Sequence, residues 1–258
     1  MALRQLFFKM KKNYIALFLV SFCIYFLGWV LVDYFELNQL KIQSQDAVPT
    51  MFVPVAILEH RTLFLDEYYT QMISRYPHPD DKDYKKELVP FYVKKVKDPN
   101  TALPHYLSAF PILPALLALP FYLPVIILNI PFSWEVLTIL SHVSSAAIVA
   151  LSGVVFYALL KRHFALSEKK QIIVVLTYLF GSVNFSLSSQ ALWQHGPLQL
   201  FILLCLLFIY ERNTFLAGLF LGLSILTRPT AVFMAPFIFL LAVNQIILLS
   251  KSSGIGVR

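Results

Sequence analysis

The chain has 258 residues, 58% of them hydrophobic and only 14% charged, with a mean hydropathy of +0.69. Soluble domains carry about 25% charged residues, so the composition excludes a soluble enzyme, a nucleic-acid-binding domain and a disordered tail. The net charge of +7 does not bring a nucleic-acid partner back, because the charges are segregated along the chain.

Residues 33–98 hold 11 of the 14 acids with nine bases, and the remainder holds three acids with 12 bases. Short Lys- and Arg-rich loops mark the cytoplasmic side of a membrane protein, while long loops are exempt. The basic excess is therefore a topology signal, with anionic membrane lipid as partner. Cys23 and Cys205 both lie in apolar runs. Their spacing fits neither a disulfide framework nor a metal site, and core packing is expected of both.

The first expected span is 14–32, preceded by Lys9, Lys11 and Lys12. It is too long for a signal-peptide core, and Val32-Asp33-Tyr34-Phe35-Glu36 offers no small-residue cleavage site. A retained anchor with a cytoplasmic N-terminus is the expectation. Residues 33–98 then form a long extracytoplasmic loop with amphipathic helical pieces such as 54–72 and a charged stretch at 80–97. Helices of that kind lie in the membrane interface.

Residues 99–134 contain no Asp, Glu, Lys or Arg, but they hold Pro99, Pro104, Pro111, Pro114, Pro120, Pro124 and Pro131. Interior prolines remove helix hydrogen bonds, and broken backbone at membrane depth needs protein or a wet cavity around it. A re-entrant or hairpin segment returning to the outer side is expected. That return places Lys161-Arg162-His163 and Lys169-Lys170, which follow the span 136–160, on the cytoplasmic side.

Spans at 172–188 and 196–210 follow, reversing through Ser188-Ser189-Gln190 and Gln194-His195-Gly196-Pro197. Glu211-Arg212-Asn213 turns the chain inside, 214–227 rises outward, Arg228-Pro229 interrupts, and 230–250 returns. The fold class expected is all-α: a polytopic membrane protein, one transmembrane domain over 1–258, built as a helical bundle with one long extracytoplasmic loop. Of the 12 bases outside the loop, only Arg228 falls on the outer side. An Arg at the outer end of a short apolar helix is costly in lipid and marks function.

This topology sends a set of polar groups to one face: Asp46, Asp66 and Glu67 from the loop, His105, then Gln194, His195 and Arg228. A carboxylate can take a proton from a hydroxyl nucleophile or hold a divalent cation. Asp46 is the candidate ligand for Mg or Mn. A guanidinium fork matches phosphate oxygens. His142, on an apolar span face, reads as a hydrogen-bonded packing residue. Lys94, Lys95 and Lys97 read as a solvated face, and Trp134 and Trp193 as members of an aromatic belt. The sequence contains no glycine-rich phosphate loop, zinc spacing or nucleophile elbow.

The runs Asp46-Ala47-Val48-Pro49, Pro54-Val55-Ala56-Ile57-Leu58 and Leu65-Asp66-Glu67-Tyr68 resemble the first outer loop of GT-C membrane glycosyltransferases, which include the protein mannosyltransferase and lipid A aminoarabinose transferase families. The stretch from Pro111 to Tyr122, Leu192-Trp193-Gln194-His195-Gly196-Pro197 and the stretch from Gly222 to Pro229 are similar to bacterial and archaeal members. The resemblance implies inverting transfer of a sugar from a polyprenyl-phosphate-linked donor to a lipid, glycan or protein acceptor on the extracytoplasmic side of the cell membrane. It places the loop acid on Asp46, with Asp66-Glu67 as second choice, and gives the departing phosphate to Arg228 with His195. Asp46 is followed by Ala47, where many members carry a paired acid. The chain is also shorter than the usual member, with about six spans, so a partial chain is expected. Two rivals stay open: a polyprenyl-lipid transporter or binding protein without chemistry, and an inactive subunit that needs a partner.

Overall fold

An apolar run with no polar stripe must satisfy its own backbone, and helices do so within one segment. The computed structural model describes residues 11–35, 44–98 and 103–252. In chain order these form α1 (Lys11–Tyr34), α2 (Ala47–His60), α3 (Asp66–Arg75), β1 (Val93–Lys97), β2 (Pro104–Ser108), α4 (Leu113–Ile127), α5 (Trp134–His163), α6 (Glu168–Phe180), a π-helical turn (Asn184–Ser188), α7 (His195–Tyr210), α8 (Thr214–Thr227), a 3-10 turn (Pro229–Met234) and α9 (Ala235–Ser252). The protein is mostly helical, and the all-α class holds beside one two-stranded ribbon. Among the described residues two helices, Lys12–Tyr34 and Trp134–His163, are long and apolar enough to cross a membrane. Lys9 lies outside the described residues.

The chain divides into two compact units. A loop-bearing unit comprises Tyr25–Ala146 and Leu187–Trp193, and a C-terminal unit comprises Ala147–Ser186 and Gln194–Arg258 with the described part of Met1–Ile24.

In the loop-bearing unit every residue of α2 from Ala47 to Ala56 is buried. It packs on α4 and meets α3 and β2, so α2 is a core helix rather than an amphipathic one lying in an interface. The continuous helix expected over 54–72 is broken by Arg61, whose φ is 53°. Its N–H donates to the Ile57 carbonyl and the N–H of Thr62 to the Ala56 carbonyl. These bonds close α2 in a left-handed cap without the usual glycine. α3 buries only Met72 and is the amphipathic piece of the loop.

β1 and β2 pair antiparallel from Val93↔Ser108 to Lys97↔Pro104. Val93 faces inward, while Lys94, Lys95 and Lys97 are exposed, as a solvated face requires. The Tyr92 hydroxyl donates to the Tyr76 carbonyl just beyond α3. Within 99–134 the described residues form β2 and the helix α4, with Pro114 in its first turn and Pro120 and Pro124 inside it.

Trp134 is not a belt residue. It is buried beside Phe52 and Tyr76 and carries the Arg75 guanidinium over its ring at 5.7 Å. His142 is buried as expected, stacked on Trp29 at 4.2 Å and bonded through Nδ1 to the Thr138 carbonyl at 2.8 Å. Hydroxyls of α5 also secure the 187–193 segment. Ser141 Oγ accepts from the Leu192 N–H at 3.1 Å, and Ser145 Oγ donates to the Ser189 carbonyl at 3.1 Å.

In the C-terminal unit, α6 stops at Phe180 and the chain turns through Asn184–Ser188, so the span expected over 172–188 is a short helix plus a turn. The Tyr178 hydroxyl links three helices: it lies 2.8 Å from Ser152 Oγ and donates to the Gln199 amide oxygen at 2.8 Å. α7 and α8 form a helical hairpin around Cys205, Ile209 and Ala217, joined by Ile238 of α9. The hairpin turn has Arg212 at φ 63°. Asn213 caps α8 by accepting from the Leu216 N–H at 3.0 Å, the usual role of an amide at a helix start. Glu211 pairs with Arg162. Cys205 is in the core as expected, but Cys23 is exposed on α1.

Candidate functional site

Asp66 is the first residue of α3, and both of its carboxylate oxygens are used. Oδ1 accepts from the Tyr106 N–H at 2.7 Å, and Oδ2 lies 2.6 Å from His105 Nδ1. The Leu65 N–H returns a bond to the Tyr106 carbonyl at 2.7 Å. The outward edge of β2 would otherwise expose these backbone groups, and the start of α3 satisfies them.

An ionised carboxylate only accepts, so His105 donates its Nδ1 proton to Asp66 and a neutral ring keeps its lone pair on Nε2. The ring stacks on Phe64 at 4.2 Å, and Nε2 lies 4.0 Å from Asp98 Oδ2. His105 is thus held on one face and at one nitrogen, with the other nitrogen fit to take a proton. Nearby, Tyr69 stacks on Tyr106 at 3.7 Å, and burial followed by that neighbour pushes the Tyr69 phenol up to about 12.

Glu67 goes elsewhere. Its Oε2 lies 2.9 Å from His60 Nε2, and Glu59 Oε2 accepts from the Tyr68 hydroxyl at 2.8 Å. Burial first, then Glu59, raise the Tyr68 phenol far above its ordinary value. Adjacent helix positions point in different directions, so the sequence pair Asp66-Glu67 serves two clusters. Sequence reasoning missed Glu59 and His60, although the adjacent Glu59-His60 signals a charge pair in the loop.

Asp46 precedes α2, and its side chain makes no capping bond. Its own N–H donates to Ser44 Oγ at 3.2 Å. Among the described residues no three His, Cys, Asp or Glu side chains gather as a metal ligand set. The chemistry proposed for the protein routes no step through a metal.

Asp81 was also missed, and no motif points to it. Nearly buried, it accepts from the N–H groups of Lys86 at 3.0 Å and Leu88 at 2.9 Å. The Lys86 bond leads the effects that hold its carboxyl below the usual value. Tyr84 and Glu87 in this loop have φ of 58° and 53°, a conformation costly for residues with a Cβ. Asp81 is the pin of that loop.

In the C-terminal unit Arg228 follows α8 and His195 opens α7. Arg228 Nη1 lies 2.9 Å from His195 Nδ1. A guanidinium only donates, so His195 accepts at Nδ1 and carries its proton on Nε2. Both side chains then present N–H donors, which suits an anion. Gln194 stands at the N-cap position of α7 without a side-chain capping bond, and its carbonyl accepts from the Leu198 N–H at 3.0 Å.

The residues singled out in the sequence thus form two pairs, Asp66 with His105 and Arg228 with His195, each within its own unit. Asp46 and Glu67 join neither. Comparison with known protein families, with curated proteins and with solved structures found no match for the chain.

Proposed function

We propose that the protein is a polytopic membrane glycosyltransferase of the GT-C type, moving a sugar from a polyprenyl-phosphate-linked donor to an acceptor hydroxyl on the extracytoplasmic side. The observation that carries this reading is the pair of Asp66 and His105, 39 residues apart in the chain and 2.6 Å apart in space. It lies in the loop where the resemblance calls for an acidic residue. Two helices of spanning length and the residues 214–227 and 235–252, whose Phe215, Phe237 and Phe239 are exposed, support the membrane setting.

In the proposed chemistry His105 Nε2 accepts the proton of the acceptor hydroxyl, and Asp66 stabilises the imidazolium that results. The acceptor oxygen bonds to the anomeric carbon as that carbon's bond to the phosphate oxygen breaks, so the configuration inverts. The polyprenyl phosphate leaves with the bonding electrons, and a phosphate-binding role is given separately to the Arg228 and His195 pair of the C-terminal unit. Asp46 is the alternative proton acceptor. The proposed topology keeps the N-terminus and the basic turns cytoplasmic.

The test is transfer of radiolabelled sugar from a polyprenyl-phosphate donor in proteoliposomes. Transfer by the wild-type chain that falls in Asp66→Asn and persists in Asp46→Asn supports the assignment. The reverse pattern moves the base to Asp46. Binding of polyprenyl phosphate without any transfer replaces the enzyme with a lipid-binding protein, a role that the Arg228 and His195 pair alone could fill.

A further inference from the structure

The C-terminal unit carries a groove of about 330 Å³ on α7, α8 and α9, a size typical of small-molecule pockets. Its depth is apolar: Ile209, Ala217, Leu221, Ile238 and Ala242. Its polar lining is Arg212, Thr214 and Gln245. Arg212 belongs to the α7–α8 turn, Thr214 opens α8 and Gln245 lies in the later part of α9, so the charge sits at one end.

Arg212 is exposed and has no carboxylate partner among the described residues, because its neighbour Glu211 is engaged by Arg162. Lys161 is close by in sequence to that pair and lies over the rings of Tyr14 and Tyr157. An unneutralised guanidinium at the mouth of an apolar groove complements one kind of molecule, a chain with an anionic head.

We infer that this groove is a binding site for an anionic phospholipid of the cytoplasmic leaflet, one acyl chain lying along α8 and α9 and the phosphate meeting Arg212 and Thr214. The inference rests on the membrane reading above but not on the transfer chemistry. Its charged end, at Arg212 and Thr214, is at the opposite end of α8 from Arg228, so it is a different phosphate site from the one given to the sugar donor.

Gly218 supplies the means of testing it. It lines the groove, and a Cβ built on it meets nothing within 4 Å. The open space at that Cβ gives a larger side chain room to enter the groove, and helices favour leucine over glycine. Gly218→Leu should therefore fold while excluding the lipid, and Ala242→Leu on α9 does the same from the facing wall.

The experiment is native mass spectrometry of the full chain, purified in detergent and titrated with phosphatidylglycerol or with phosphatidylcholine of identical acyl chains. One phosphatidylglycerol should bind per chain at least ten-fold more tightly than phosphatidylcholine. Arg212→Gln should remove that preference, and Gly218→Leu and Ala242→Leu should remove the bound lipid. Equal occupancy by the two lipids, or retention by both filled-groove variants, overturns the inference. A dimer that disappears in Gly218→Leu also overturns it, by making a second copy the occupant. Carbonate extraction separates the underlying failures: a chain released from membranes refutes the membrane reading, whereas one that is retained but indifferent to lipid refutes only the groove.

Discussion

Gly153 of α5 and Leu179 of α6 approach so closely that a Cβ on the glycine would stand 2.5 Å from a Leu179 methyl carbon. Small residues allow helices in lipid to pack by direct contact of backbone and side chain. Gly153→Val should destabilise the protein by about 1–3 kcal/mol, read as a lower unfolding temperature in detergent. Adding Leu179→Ala should restore part of the loss. If Gly153→Val melts with the wild type, the close approach is not a stability determinant.

His105→Ala should lower sugar transfer by about 10²–10⁴, the range of a lost general base. Asp66→Asn should fall nearly as far while keeping the loop docked, since an amide oxygen can still accept from the Tyr106 N–H. His60→Ala should stay within about two-fold, because its partners Glu59 and Glu67 are solvent-facing and exposed pairs contribute little. Initial rates of the three variants check the ranking.

Arg228→Lys keeps a charge and loses the planar fork. Hydrogen bonds to charged groups are worth about 1.5–3 kcal/mol, so donor binding should weaken roughly 10- to 100-fold. Titration of the purified variant with polyprenyl phosphate reads this directly, and an unchanged affinity removes Arg228 from the donor site.

Asp81 gives a pH dependence of known sign. Its carboxyl is held below the ordinary value of 3.8, so the loop's stabilisation is complete above that value and fades as the pH falls through the lowered one. Amide exchange at Lys86 and Leu88 should be slow down to about pH 4 and accelerate in more acid solution. In Asp81→Asn the protection should be weak at every pH.

The proposed topology is open to impermeant thiol labelling in a Cys23→Ser, Cys205→Ala background. Asp46→Cys, His195→Cys and Arg228→Cys should label from outside intact cells, and Ala165→Cys should not. Labelling of position 165 alone would place the later turns in the cytoplasm and dismantle the donor site.

The helices were legible wherever apolar runs end at charged or turn residues. The run expected at 214–227 has those bounds, and 136–160 is extended only by Trp134, Glu135 and the basic Lys161-Arg162-His163. The break at Arg61 was hidden because a left-handed cap usually announces itself by a glycine, and here an arginine stands in its place. The ribbon was hidden because Val93-Lys94-Lys95-Val96-Lys97 lacks strict alternation and Pro104 discourages a strand. Asp66 and His105 were each visible as chemistry, but docking of the start of α3 on the outward edge of β2 brings them together, and that tertiary contact was not in the pattern. Arg228 and His195 were easier, since each sits at a helix end set by its own sequence.

The burial of α2 from Ala47 to Ala56 bears on the order in which the protein can be made. Its lasting cover includes α4, which begins only at Leu113, so a growing chain presents Ala47–Ala56 before its partner exists. At roughly 5–20 residues per second that interval lasts several seconds, far longer than nonspecific collapse takes. A ribosome stalled before Leu113 should therefore leave this segment crosslinkable to whatever shelters apolar nascent chain, and release past α4 should end the crosslink.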